Sequence, residues 1–253
     1  MKIPFEPILF GFNINIHLVF EILAFFISYR YYKHLKKKQS DIISNSNRST
    51  IVLAAAIGAF LGSRIMGILE QPLFTVNAEN IEKILNVKTI MGGLFGGLLA
   101  VEFAKRKIGE KQATGDLLTF PIILGIFIGR IGCFLMGVKE FTYGNKTNFV
   151  FGMNLGDGIN RHPVALYELF FLIILFILLK IIQKQQQYVN GILFQYFMIS
   201  YFGFRFFIEF IKPNIFYIFG FSSIQILCIV CWIYYRKTLI KLIKNAYTRL
   251  HLL

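Results

Sequence analysis

The chain has 253 residues, is 56% hydrophobic and has a mean hydropathy of +0.61, too apolar for an ordinary soluble domain. Its 27 Lys and Arg against 13 Asp and Glu leave a formal charge of +14. Topological bias and attraction to anionic lipid headgroups account for that charge, so nucleic acid is excluded as a partner.

Apolar runs cover residues 8–32, 51–69, 89–104, 117–136, 164–182, 190–211 and 216–235. Most reach the roughly 17–25 residues that a tilted helix needs to cross about 30 Å of hydrocarbon. The pattern predicts an all-α polytopic membrane protein, a single transmembrane domain over 1–253 with seven spans. The first run is longer than a signal-peptide core and no small-residue cleavage site follows it, so it is expected to remain as an anchor. The third is short and glycine-rich (Gly92, Gly93, Gly96, Gly97), which suits a broken or closely packed helix, and readings of six or eight spans hinge on it. Residues 137–162 are dense in Gly, Asn and aromatics, among them Tyr143 and Gly144, and are expected to fold as an external cap over the site. A basic tail occupies about 236–253.

Short cytoplasmic loops hold more Lys and Arg than external ones. With the N-terminus outside, the segments 30–50, 105–116, 180–189 and 236–253 carry seventeen basic residues. The external Lys2, Lys83, Lys88, Lys139, Lys146, Arg161 and Lys212 make seven. The count predicts N-out, C-in.

The remaining three are Arg64, Arg130 and Arg205, each inside an apolar stretch. A guanidinium keeps its charge, and at membrane depth that costs at least about 2.5–3.5 kcal/mol, so each needs a compensating partner, plausibly an anion. Arg130 lies in Gly129-Arg130-Ile131-Gly132-Cys133-Phe134, where small residues allow close approach by a helix or a ligand. Its alternative reading is a structural arginine paired with Glu209 or Glu21. Arg205 and Glu209 stand four apart on one helical face, either as a packing pair or as half of an anion site. Arg64 follows Gly62-Ser63 and has the same small-residue surroundings. Before the fifth run comes Arg161-His162-Pro163-Val164-Ala165-Leu166-Tyr167-Glu168, with proline at a helix start and a tyrosine at interfacial depth. Cys133, Cys228 and Cys231 lie in apolar runs and read as buried packing residues. The four histidines fall on separate segments, so no metal or organic cofactor is expected.

These motifs in this order resemble the prolipoprotein diacylglyceryl transferase family, bacterial enzymes that move diacylglycerol from phosphatidylglycerol to a lipobox cysteine. The resemblance rests on His17, Gly62-Ser63-Arg64-Ile65, Gly96-Gly97-Leu98, Gly129-Arg130-Ile131-Gly132 with Phe134, Arg161-His162-Pro163 with Leu166-Tyr167-Glu168, and Arg205-Phe206 with Glu209. The chain departs from the family pattern at Cys133, Met136 and Val138, which stand at polar positions, at Phe95 or Met91 before the glycine pairs, and at Val19.

The resemblance implies a multi-pass protein of the bacterial inner membrane, with an anionic phospholipid and a membrane-tethered prolipoprotein as partners and no implication for oligomeric state. A cysteine thiolate would attack the glyceryl carbon and glycerol phosphate would leave. Arg130 and Arg205 would meet the phosphate charge, and His17 is the nominated base, with His162 and Glu209 as weaker candidates. Arg64, Gly96, Gly97, Gly129, Gly132, Tyr143, Gly144, Arg161, His162, Tyr167 and Glu209 are the expected substrate contacts. Two other readings stay open: a catalytically altered relative that binds another anionic lipid, and an anion transporter whose arginines line a polar path.

Overall fold

The computed structural model describes residues 3–9, 11–38, 43–70, 87–185, 190–214 and 218–250. Lys2, the segment 71–86 with Lys83, and His251 lie outside the described residues. The architecture is mostly helical. In chain order the helices are α1 (Ile16–Lys38), α2 (Asn45–Glu70), α3 (Ile90–Ile108), α4 (Asp116–Met136), α5 (Val164–Lys184), α6 (Ile192–Ile208), α7 (Ser223–Tyr234) and α8 (Arg236–Leu250). Each apolar run of the sequence therefore contains a helix. Asn45–Glu70, Asp116–Lys139 and Val164–Lys184 are long and apolar enough to cross a membrane, while Ser223–Tyr234 is apolar but shorter. Large apolar side chains such as Phe25, Phe26, Leu53, Phe60, Phe103 and Phe170 stand exposed on helix surfaces. A surface of that kind calls for an apolar solvent.

The first run is not helical from its start. Ile8–Leu9 (β1) and Phe12–Asn13 (β2) pair antiparallel around Gly11, whose φ of +82° suits glycine. The helix begins at Ile16 because the Asn15 side chain caps it, its Oδ1 accepting from the Leu18 N–H at 3.1 Å.

Contacts cluster into two compact units. The first comprises 1–40, 114–197 and 210–213. In it α4 packs on both α1 and α5. A Cβ at Gly132 would lie 2.8 Å from the Phe20 Cβ and 3.3 Å from the His17 Cα, so glycine there sets how closely α1 can lie on α4. The 137–162 segment belongs to this unit. It holds a 3-10 turn at Gly137–Lys139 and an antiparallel pair of Met153–Asn154 (β3) with Asn160–Arg161 (β4).

The second unit comprises 41–113, 198–209 and 214–253. Its core is the α2–α3 pair. The third run is an unbroken helix, capped by Thr89, whose side chain accepts from the Gly92 N–H at 3.0 Å. Gly58 and Gly62 of α2 face Gly92 and Gly96 of α3, and a Cβ on Gly96 would come within 2.9 Å of the Gly62 Cα. The glycine richness of the third run thus serves close helix packing. In the same unit the indole N–H of Trp232 on α7 donates to the Ile199 carbonyl at 3.2 Å.

Candidate active site

In the first unit, α4 carries Arg130 and Cys133 one helical turn apart, so both point to the same side. Arg130 is buried, and its Nε lies 2.8 Å from Oε1 of Glu168, a fully buried carboxylate in the first turns of α5. This ion pair, made across two helices, answers the charge of Arg130. Glu168, the last residue of the helix-start motif, takes the place expected for Glu209 or Glu21. The two charges compensate each other in a medium that cannot solvate either.

The other face of the guanidinium meets sulfur. Arg130 Nη1 is 3.7 Å from Cys133 Sγ, and Cys133 Sγ is 3.5 Å from His17 Nε2 on α1. The opposite ring nitrogen, His17 Nδ1, lies 3.1 Å from Oε1 of Glu140, which follows the 3-10 turn after α4. The result is a continuous chain Glu140–His17–Cys133–Arg130–Glu168. Glu140 orients the imidazole through Nδ1, which turns Nε2 toward the thiol. The close approach at Gly132 is what brings His17 within reach. Cys133 is buried, as expected of a packing residue, but its sulfur stands between a base and a cation, a surrounding that packing does not require.

The 137–162 segment holds four of the nominated residues, and the start of α5 a fifth. His162 Nδ1 is 3.1 Å from the Tyr167 hydroxyl, and Arg161 pairs with Asp157 at 2.7 Å while its guanidinium stacks 5.1 Å from the Tyr143 ring centroid. The hydrogen bond from Arg161 holds the exposed Asp157 carboxyl below the usual aspartate range. A Cβ on Gly144 would come within 2.6 Å of the His162 Cβ and 2.9 Å of the Ile211 carbonyl, so Gly144 permits the backbones to cross closely. Gly129 differs from the other glycines of α4: a Cβ there meets nothing within 4 Å, which leaves open space beside Arg130.

The second unit holds the other two arginines. Arg205 Nη2 lies 2.6 Å from Glu209 Oε1, as the four-residue spacing predicted. Glu209 is fully buried, and its Oε2 accepts from Asn214 Nδ2 at 2.5 Å and from the Ser222 hydroxyl at 3.5 Å. Ser222 also caps α7 through the Gln225 N–H, and Gln225 Nε2 reaches the Phe206 carbonyl at 3.1 Å. Asn214 and Ser222 were not nominated from the sequence; they join Glu209 through a turn and a cap with no periodic signature. Arg64 donates to the Val87 carbonyl at 2.9 Å and stacks on Phe60, its guanidinium carbon 5.4 Å from the ring centroid. Gly96 and Gly97 lie on the α3 face that packs against α2. Among the described residues, no cluster of His, Cys, Asp and Glu is arranged to hold a metal ion.

Two features define the class of protein: apolar helices, and the buried Arg130 and Arg205, each facing a buried carboxylate, beside a half-buried Arg64 on a backbone carbonyl. Residues 7–240 match the family model described as prolipoprotein diacylglyceryl transferase, and the chain belongs to that family. It is 29% identical over 243 residues to the phosphatidylglycerol–prolipoprotein diacylglyceryl transferase of Campylobacter lari, covering 89% of this chain and 88% of that protein. The protein of the same name from Ehrlichia ruminantium is 33% identical over 205 residues, 76% of each chain. That from Nitratidesulfovibrio vulgaris is 34% identical over 199 residues, 71% of each.

Proposed function

We propose that the protein transfers a diacylglyceryl group from phosphatidylglycerol to the lipobox cysteine of a prolipoprotein, at the outer leaflet of a bacterial inner membrane. In this reading the chain spans the membrane seven times with its N-terminus outside, and 137–162 covers the outer mouth. Family membership supports transfer over transport. The observation that carries the site assignment is the continuous chain from Glu140 through His17 and Cys133 to Arg130 and Glu168.

Phosphatidylglycerol approaches along the open face at Gly129 and sets its phosphate against Arg130, whose planar fork suits bidentate contact with phosphate oxygens. His17, oriented by Glu140, takes the proton of the acceptor thiol, because the thiolate is the nucleophile. The sulfur attacks the terminal glyceryl carbon, the C–O bond to phosphate breaks, and glycerol phosphate leaves with the electron pair. Arg130 stabilises the charge that develops on that leaving group, and Glu168 holds the guanidinium in place. Arg205, fixed by Glu209, and Arg64 are assigned to substrate through the family motif and their placement in apolar stretches. Tyr143, Gly144, Arg161, His162 and Tyr167 shape the cap above the reacting groups.

The test is transfer of label from phosphatidylglycerol to a lipobox peptide by the purified full-length protein. Arg130→Ala is expected to lower the rate by about 10²–10³-fold, the cost of removing one preorganised donor to a developing anion. Wild type that labels no peptide overturns the transferase reading. Near-full activity in Arg130→Ala overturns the site.

A further inference from the structure

Between Thr147 and Gly152 the 137–162 segment makes a turn that presents apolar side chains outward. Phe149, Val150 and Phe151 are consecutive, and they are 54%, 88% and 65% exposed. Three adjacent apolar side chains standing out from a connecting segment call for a partner other than water. The turn holds its shape by its own contacts. The Gly152 N–H donates to the Phe149 carbonyl at 2.7 Å and the Phe149 N–H to the Thr147 hydroxyl at 3.1 Å, while the Phe149 and Phe151 rings meet edge to face with centroids 5.4 Å apart.

The height of this turn is set by the helix beside it. The Phe149 ring lies 6.1 Å from the His162 ring, whose Nδ1 is 3.1 Å from the Tyr167 hydroxyl in the first turn of α5. α5 begins at Val164 and is long and apolar enough to cross a membrane. Phe170, about 9 Å further along it at 1.5 Å per residue, is already 68% exposed. The turn therefore stands where α5 enters hydrocarbon, the depth at which aromatic side chains settle. Its charge fits the same surroundings, because Lys146 is exposed and no Asp or Glu occurs between Glu140 and Asp157. An ammonium beside an apolar tip matches a phospholipid surface, with phosphate oxygens for the one and acyl chains for the other.

We infer that Phe149, Val150 and Phe151 form an anchor that inserts into the boundary between lipid headgroups and acyl chains, with Lys146 against the lipid phosphates. Val150, the most exposed of the three, leads the insertion, and the two rings flank it. The anchor keeps 137–162 down on the bilayer, at the depth from which a phospholipid enters. Because Phe149 neighbours His162, lifting the tip out of the lipid disturbs the same segment that carries Arg161 and His162.

The inference rests on the placement of 137–162 at the outer membrane surface proposed above, but its readout needs no group transfer, so either reading can fail without the other. A nitroxide is attached to Val150→Cys and, separately, to Lys146→Cys in the full-length protein, in nanodiscs of phosphatidylcholine and phosphatidylserine. Wild type treated in the same way reports any label on the buried native cysteines. Power saturation then compares collisions with oxygen, which concentrates among acyl chains, and with a water-soluble nickel chelate. At Val150 oxygen is expected to dominate, with the label about 5–10 Å below the headgroup boundary, the depth reached by other interfacial apolar faces. At Lys146 the nickel chelate is expected to dominate. Phe151→Cys repeats the Val150 measurement, so one poorly folding variant does not remove the test. A Val150 label on which nickel dominates puts the turn in water and overturns the inference. A label shielded from both reagents overturns it as well, because the turn then packs on protein, and so does shielding that arises only when a lipobox peptide is added.

Discussion

Arg130 and Arg205 are both buried and both face a fully buried glutamate, yet they reach that state by different routes. Arg205 takes its partner from its own helix, four residues on, and that glutamate is further held by Asn214 and Ser222. Arg130 takes its partner from a neighbouring helix and turns another face to a cysteine, which leads on to a histidine and a second glutamate. The first is a pair stabilised locally and wrapped by hydrogen bonds. The second is a junction of three helices and the cap, where groups able to exchange a proton stand in line. Two buried arginines can therefore be charge-compensated alike while their surroundings differ, one closed by hydrogen bonds and one continued through a thiol and an imidazole.

The sharpest way to break this comparison is to remove the carboxylates. Glu209→Ala strips an acceptor from Arg205, Asn214 and Ser222 together, and Glu168→Ala leaves Arg130 beside the cysteine without its buried counter-charge. Breaking a buried ion pair costs about 3–5 kcal/mol, so both variants should lose that order of stability in thermal or denaturant unfolding. Replacing both Arg205 and Glu209 with leucine should restore little, because Ser222 then loses its carboxylate acceptor and Asn214 keeps only the carbonyl of residue 209. Full recovery in that double variant would show that the network around Glu209 contributes nothing beyond charge compensation.

A smaller effect separates two glycines that were both nominated as substrate contacts. Gly96 faces the Gly58 and Gly62 backbone, so Gly96→Val should overpack the α2–α3 contact and cost about 1–3 kcal/mol in unfolding measurements. Gly129 borders open space, so Gly129→Ala should leave unfolding unchanged and lower transfer only if lipid lies against that face. Unaltered transfer in Gly129→Ala would remove it from the substrate path.

The uneven legibility of the two arginines has a physical basis. Helical periodicity relates residues three or four apart, so Arg205–Glu209 could be read from spacing alone. Hydropathy likewise placed a helix in every apolar run, and the small-residue pattern of the third anticipated its close packing. Nothing local relates Arg130 to Glu168 on the next helix, or His17 to Glu140 beyond α4; those partners follow from which helices pack together and at what register. Cys133 is buried as expected, but its polar neighbours were hidden for a related reason. An apolar run conceals a thiol as one more small hydrophobe, and only the closeness of α1 at Gly132 shows that its sulfur has a histidine beside it. The non-helical start of the first run was legible in Gly11, Asn13 and Asn15, which mean hydropathy averages away.

The cap offers the gentlest contrast with the buried pairs, because its Arg161–Asp157 pair meets solvent. Arg161 holds the Asp157 carboxyl below the ordinary aspartate value of about 3.9, so the folded state binds that proton less readily than the unfolded chain does. A carboxyl depressed in this way adds stability above the unfolded value and loses it as pH falls through the folded one. Thermal unfolding should thus show a full and pH-independent contribution from this pair between about pH 5 and 8, and a decline below about pH 4 that Asp157→Asn abolishes. The change should be small, since exposed pairs are screened and Arg161 keeps its stacking on Tyr143 when Asp157 is neutral. A low-pH difference between wild type and Asp157→Asn as large as that from Glu168→Ala would mean that the cap pair is as insulated from water as the buried ones, and the distinction between the two settings would fall.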